Sequence, residues 1–207
     1  VSCNDNNPCT FDSCSPETGC AHEPVQSSEC LLLDDGNNLV SFSRLPQDSG
    51  LWNVFGDAAA HIVRIMGEGT VAVPWGGDGE FVGNLSLERT AGYWVTLDLP
   101  DDMDWLAIPL KGEATDPDIA YQLSPDVESV SFPCEEATAI EPAMGAYASD
   151  FEQWVGQGIA AFLPDDTWIG SLTEFQPNDG YEVKPKEAIS DFRFSCADSD
   201  GADPYTY

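Results

Sequence analysis

The chain repeats itself, and this constrains its fold more than any other feature. Leu39-Val-Ser-Phe42 recurs as Ser129-Val-Ser-Phe132, 90 residues later. Gly67-Glu-Gly69 recurs as Gly156-Gln-Gly158 at an offset of 89. Val82-Gly-Asn-Leu-Ser86 recurs as Ile169-Gly-Ser-Leu-Thr173 at 87, and Gly92-Tyr-Trp-Val95 as Gly180-Tyr-Glu-Val183 at 88. Four matches in one order, with nearly constant offsets, define two copies of one unit. We place the copies at 31–109 and 121–196. The stretch 110–120 between them has the polar, Gly- and Pro-containing composition of a linker.

Each copy reads as short β-strands, with near-alternating segments bounded by Gly, Pro, Asn or Asp. One short helix per copy is expected, around Leu51–Gly56 and Ile140–Tyr147. A helical alternative exists for Asp57–Met66, where Ala58, Ile62, Ile65 and Met66 recur at helical spacing. The expected fold is mainly β: two duplicated sandwich- or barrel-like units, packed about a pseudo-twofold axis, behind a small disulfide-stapled module at 1–30. An acidic tail at 197–207 closes the chain.

Five of the seven cysteines, Cys3, Cys9, Cys14, Cys20 and Cys30, fall in that first module. A segment too short to bury its own core and this rich in cysteine indicates disulfide staples and an oxidising compartment. The C-x5-C-x4-C-x5-C-x9-C spacing departs from the close C-x2-4-C pairs of zinc sites. Cys134 and Cys196 lie far away and are expected to pair with each other. That bond would close a loop of about 60 residues and stabilise copy two by roughly 4 kcal/mol. Seven is odd, so one cysteine is left over, with Cys3 and Cys30 the foremost candidates.

The run Cys3-Asn-Asp-Asn-Asn-Pro-Cys9-Thr-Phe-Asp-Ser-Cys14-Ser-Pro-Glu-Thr-Gly-Cys20-Ala-His22-Glu-Pro24 resembles the cysteine repeat of slime-mould extracellular-matrix proteins and myxobacterial surface proteins. The Asn/Asp run, Pro-Cys-Thr, Asp-x-Cys, Gly-Cys and His-x-Pro elements all occur in order. The resemblance implies a secreted, matrix or cell-surface context and no activity. The two copies in turn resemble an accessory β-module of bacterial secreted and surface proteins. The elements are Asn38-Leu-Val-Ser-Phe42, Gly83-Asn-Leu85 and Gly92-Tyr-Trp-Val95, with Val130-Ser-Phe132, Gly170-Ser-Leu172 and Gly180-Tyr-Glu-Val183 in copy two. This second resemblance implies location more than function.

Charge narrows the partners. With 7 Lys+Arg against 37 Asp+Glu the net charge is −30, which repels phosphate backbones and anionic lipid headgroups. Nucleic acid and membrane insertion are therefore not expected. The carboxylates point instead to calcium, a hard cation that collects several oxygens. The candidate ligand sets are Asp198/Asp200/Asp203, Asp101/Asp102/Asp104, Asp34/Asp35/Asn37 and Asn4/Asp5/Asn6, and the alternative is a solvated acidic surface. His61 stands alone in an apolar stretch and is read as packed or surface. No G-x-S-x-G, H-E-x-x-H, P-loop or dinucleotide fingerprint occurs, and no enzymatic activity is expected.

Comparing the copies picks out contact residues. Tyr93 and Val95 match Tyr181 and Val183 and should face a core. Trp94, matching Glu182, should face the other way. It is either an exposed contact residue or is covered by copy two or by a loop. Trp75 lies in a Pro-Trp-Gly-Gly loop, as a lid or as a binding residue. With Trp105 these are the candidate partner or glycan contacts, and Asn84-Leu-Ser86 is an N-glycosylation sequon. The leading functional expectation is an extracellular structural or adhesive protein of a surface, matrix or filament. It would act through self-association or contacts with other surface proteins, with calcium support. The alternative is a glycan-binding accessory region of a larger secreted enzyme or adhesin.

Overall fold

The computed structural model describes residues 2–25, 27–75 and 80–196. It is mainly β: a disulfide-linked N-terminal hairpin followed by two five-stranded antiparallel sheets. The first sheet has the order Gly36–Val40, Tyr93–Leu97, Ile62–Gly67, Thr70–Trp75, Glu80–Gly83. The second has the order Glu128–Ser131, Gly180–Pro185, Phe151–Gly156, Ile159–Phe162, Ile169–Gly170. Strand for strand, the two orders are the same.

The rest of each unit also recurs. A ribbon of the unit's first and last strands, Cys30–Asp34 with Trp105–Pro109, closes one side of the first core. Tyr121–Leu123 with Ile189–Phe192 does so in the second. A one-turn helix, Leu51–Phe55 or Ile140–Met144, caps each core. A 3-10 segment continues it as far as His61 or Tyr147. The helical alternative for Asp57–Met66 stops there, because strand Ile62–Gly67 follows directly. Backbone pairing with Tyr93–Leu97 overrides the 3.6-residue spacing, and a bulge between Ile62 and Arg64 disturbs the two-residue alternation that would have marked the strand.

Side-chain alternation sorts each closing strand. Tyr93, Val95 and Leu97 point into the first core, and Tyr181 and Val183 into the second. Each tyrosine hydroxyl is tied to the turn before it. Tyr93 accepts the Glu88 N–H, and Tyr181 accepts the Gln176 N–H, both at 2.7 Å. The cores differ in filling. Where the first has Ile62, Ile65 and Leu87, the second has Phe151, Trp154 and Phe175. Edge-to-face contacts such as Phe151–Trp154 at 5.0 Å and Trp154–Phe175 at 4.9 Å run through it.

The units join by exchanging strand ends. Past Val40 the opening strand of copy one leaves its own sheet. Ser41 N–H donates to Asn178 O at 2.7 Å, and Val40 bridges to Asp179. Copy two does the same in return. Ser131 N–H donates to Thr90 O at 3.1 Å, Gly92 N–H donates to Ser129 O at 2.9 Å, and Val130 bridges to Ala91. The two backbones come so close that a Cβ on Gly180 would lie 2.7 Å from Val40 O, and one on Gly92 would lie 3.0 Å from Val130 O. At Gly180 a side chain has no room without a backbone shift, and at Gly92 the neighbouring strand would have to give by a few tenths of an ångström.

The stretch 110–120 is held against both copies. Glu113–Ala114 pairs with Arg44–Leu45. Thr115 is buried, and its N–H donates to Ser43 O at 2.7 Å. A Gly180→Ala substitution should push the strand exchange apart and destabilise the whole chain by about 1–3 kcal/mol. A lowered urea midpoint with native-like circular dichroism in water is the expected result.

Candidate functional site

The N-terminal module is one antiparallel hairpin, Thr10–Ser15 with Gly19–Pro24. Its second strand is exposed throughout, so no apolar core holds it. Polar contacts and sulfur do this work. Asp5 accepts N–H from Asn7 and O–H from Thr10. The Asn7 N–H bond is the main reason the Asp5 carboxyl is held below its ordinary range. His22 Nδ1 lies 2.5 Å from Asp12 Oδ1 and 3.5 Å from Asp5 Oδ2. The Asp12 hydrogen bond raises the His22 imidazole above its usual range. The Asn/Asp run, the Asp before Cys14 and the His-x-Pro element are thus one polar lock.

The disulfides place the module on copy one. Cys9 bonds Cys30, the first residue of that copy's opening ribbon strand. Both are buried against Ala107, with Trp105 and Leu32 packed beside them. Asn7 Nδ2 donates to Ala107 O at 3.2 Å. Cys134 bonds Cys196, closing copy two. Cys30 is therefore not the odd cysteine. Cys3 reaches both Cys14 and Cys20, which face each other across the hairpin. One sulfur forms one disulfide, so the surplus thiol belongs to this group of three.

The candidate contact residues separate. Trp94 is half-buried at the strand exchange, where its Nε1–H donates to Glu182 Oε1 at 3.1 Å. The residue matched to it in the duplication is its partner across the junction. It is therefore covered by copy two and is not an outward contact residue. Trp105 is partly buried beside the Cys9–Cys30 bond. Trp75, by contrast, ends strand Thr70–Trp75 with 69% of its surface exposed, and Trp52 on the capping helix is 48% exposed. The sequence does not mark Trp52, because a one-turn helix gives too short a pattern to reveal its outer face. Glu80, paired in register with Trp75, lines a depression of about 500 Å³ together with Trp52, Phe81 and Leu85.

Asp101, Asp102 and Asp104 lie in an exposed turn. Their carboxylates do not converge as a ligand set. Among the described residues the convergent groups are Cys3/Cys14/Cys20 and Asp5/Asp12/His22. Asp198, Asp200 and Asp203 lie outside the described residues. Asn84 sits in an exposed bend just after Glu80–Gly83. His61 is half-buried at the end of its 3-10 segment, and its carbonyl accepts the Asp98 N–H.

A larger hollow of about 680 Å³ lies beside the 110–120 stretch and contains Arg89. Its guanidinium is occupied by Leu45 O, Glu113 O and the Thr115 hydroxyl, at 2.9, 3.0 and 3.1 Å. The half-buried carboxyl at the strand exchange, Asp179, is pushed up to about 6 by desolvation, against the lowering effect of a Tyr181 hydrogen bond. Neither group was foreseen. Arg89 ties copy one to the 110–120 stretch, and Asp179 lies where Val40 and Ser41 of copy one meet copy two.

Residues 2–25 match the family described as the Dictyostelium (slime mold) repeat. A 37-residue stretch is 54% identical to the protein psiN of Dictyostelium discoideum, covering 18% of this chain and 5% of that protein. No solved structure matches the chain. Among the described residues no helix is long and apolar enough to cross a membrane.

Asp179 gives the strand exchange a pH dependence. Its folded pKa is raised, so the folded chain holds a proton that the unfolded chain has already released between about pH 4 and 6. Its contribution favours folding fully below about pH 4 and is lost as pH rises through 6. Asp179→Asn should therefore stabilise the protein at pH 7.5 by up to about 2 kcal/mol, with the gain vanishing near pH 4. Paired urea titrations at the two pH values check this.

Proposed function

We propose that the chain is a secreted, non-enzymatic structural or adhesive protein that works outside the cell through protein–protein contacts. The observation that carries this reading is the joint between module and copy one. A disulfide-rich repeat is fixed to a duplicated β body by a buried covalent bond, Cys9–Cys30, and a supporting bond from Asn7 to Ala107. Such a joint transmits force and orientation, which a surface or matrix subunit needs. The disulfides and the slime-mould repeat support an oxidising, extracellular setting. The surplus thiol of the Cys3/Cys14/Cys20 group offers a link to a neighbouring chain. At a net charge of −30, contacts between copies need counter-ions, and calcium is the natural one outside cells. The resemblance of its strand motifs to accessory β-modules of bacterial surface proteins favours the same setting.

A second reading, glycan binding by an accessory region of a larger secreted protein, draws on Trp75 and Trp52. Exposed indoles are surfaces on which sugar rings stack, and the Glu80 carboxylate accepts hydroxyl hydrogens.

The readings separate by experiment. Size-exclusion chromatography and negative-stain imaging in millimolar calcium should show assemblies that dissolve on chelation. A strict monomer under oxidising conditions with calcium present would count against the first reading. A glycan array should show no specific signal. A specific signal that Trp75→Ala abolishes would establish the second reading instead.

A further inference from the structure

The two copies differ at one surface position in a way that points to a modification. In copy two, Ser171 follows Gly170 and ties off the sheet edge. Its N–H donates to Ala160 O at 2.8 Å, and its hydroxyl accepts the Ala160 N–H at 3.2 Å. In copy one, Asn84 stands there, after Gly83. Its side chain is exposed and has no polar partner among the described residues. The third residue of the sequon, Ser86, is exposed as well, while its carbonyl is held by the Tyr93 hydroxyl at 3.0 Å.

The surroundings differ in step. Beside Ser171 the position matched to Phe81 is Trp168, which packs against the second core and donates its Nε1–H to Ala148 O. Beside Asn84 the smaller Phe81 leaves the depression of about 500 Å³, and Gly83 and Leu85, the two neighbours of Asn84, line it. The adjoining edge exposes Val71, Val73 and Val82 at 45%, 39% and 52%. Copy two exposes Phe162 and Ile169 at the same edge positions, at 44% and 55%, so what sets copy one apart is an unpartnered Asn84 standing beside an open depression.

We propose that Asn84 carries an N-linked glycan that lies over this edge of copy one. The donor class is an oligosaccharide on a lipid pyrophosphate. Asn84 Nδ2 forms a bond to the anomeric carbon. The bond from that carbon to the pyrophosphate oxygen breaks, and the lipid pyrophosphate leaves with the electron pair. One amide proton passes to a base. The glycan then supplies hydrated bulk at an unpaired sheet edge, which would otherwise be a template for edge-to-edge pairing.

The test uses the full chain secreted from Dictyostelium cells behind a secretion signal. Intact mass and peptide mapping before and after peptide N-glycosidase should show one oligosaccharide, leaving aspartate at position 84. Asn84→Ser, which restores the residue of copy two, and Ser86→Ala should each abolish it. Secreted, folded protein unmodified at Asn84 overturns the proposal and leaves the extracellular reading intact. Failure of secretion of the unsubstituted chain and of both variants would overturn both. For the covering role, enzymatic removal of the glycan should increase binding of an apolar dye and the fraction of aggregate. If neither changes, the glycan does not cover the edge.

Discussion

The reciprocal exchange of strand ends is the constraint on which the rest of the molecule depends. Backbone N–H groups at Ser41, Gly92 and Ser131 find their acceptors only in the opposite copy. A buried backbone donor without a partner costs about 1–3 kcal/mol, so neither copy is complete alone. The exchange also fixes the angle at which the copies meet, because four strand ends share one crossing. Gly92 and Gly180 are retained at equivalent positions for that reason. The Gly-Tyr pair that makes the duplication visible combines a residue needed for docking between copies with one needed for folding within each.

This explains which parts of the fold were legible. The recurrences lie where a local requirement is imposed twice: the opening strands, the hairpin glycines, the edge glycines and the closing strands. They gave the two-copy organisation and the facing of Tyr93, Val95, Tyr181 and Val183, because strand alternation is a local property. The partner of Trp94 was a different matter. Alternation places its indole off the core but says nothing about what lies there, and the answer is its own counterpart, Glu182. Asn178 was invisible for the same reason. Its amide donates to Ser27 O and Cys30 O and accepts the Ser43 N–H, tying copy two to the end of the module and to copy one. Asn178 occupies the position of Thr90, so comparing the copies erased it instead of revealing it.

The copies have diverged in how they are stabilised. Copy two closes its ends with Cys134–Cys196 and fills its centre with aromatic rings. Trp154 sits fully buried there, with no partner for its Nε1–H among the described residues. Leaving that donor unmet costs about 1–3 kcal/mol, and the apolar area of the ring, at about 25 cal/mol per Å², offsets it. Copy one has the smaller Ile65 in the same place. It gains its covalent closure from the module, through Cys9–Cys30, which anchors its first ribbon strand from outside.

That division of labour bears on how the chain acts. The module has too little apolar surface to fold by burial, so the residues that define its motif are spent on holding the hairpin. Asp5, Asn7, Thr10, Asp12 and His22 satisfy one another and the backbone. A polar lock of this kind leaves the outer faces of both strands unused and available. The body presents the opposite pattern: its junction consumes Trp94 and Glu182, and apolar surface remains along the sheet edges, at Val73 and Val82 in copy one and Phe162 and Ile169 in copy two. The exposed regions of module and body thus sit at separate places on one chain, joined through a buried disulfide, an arrangement that the contact role proposed above would use.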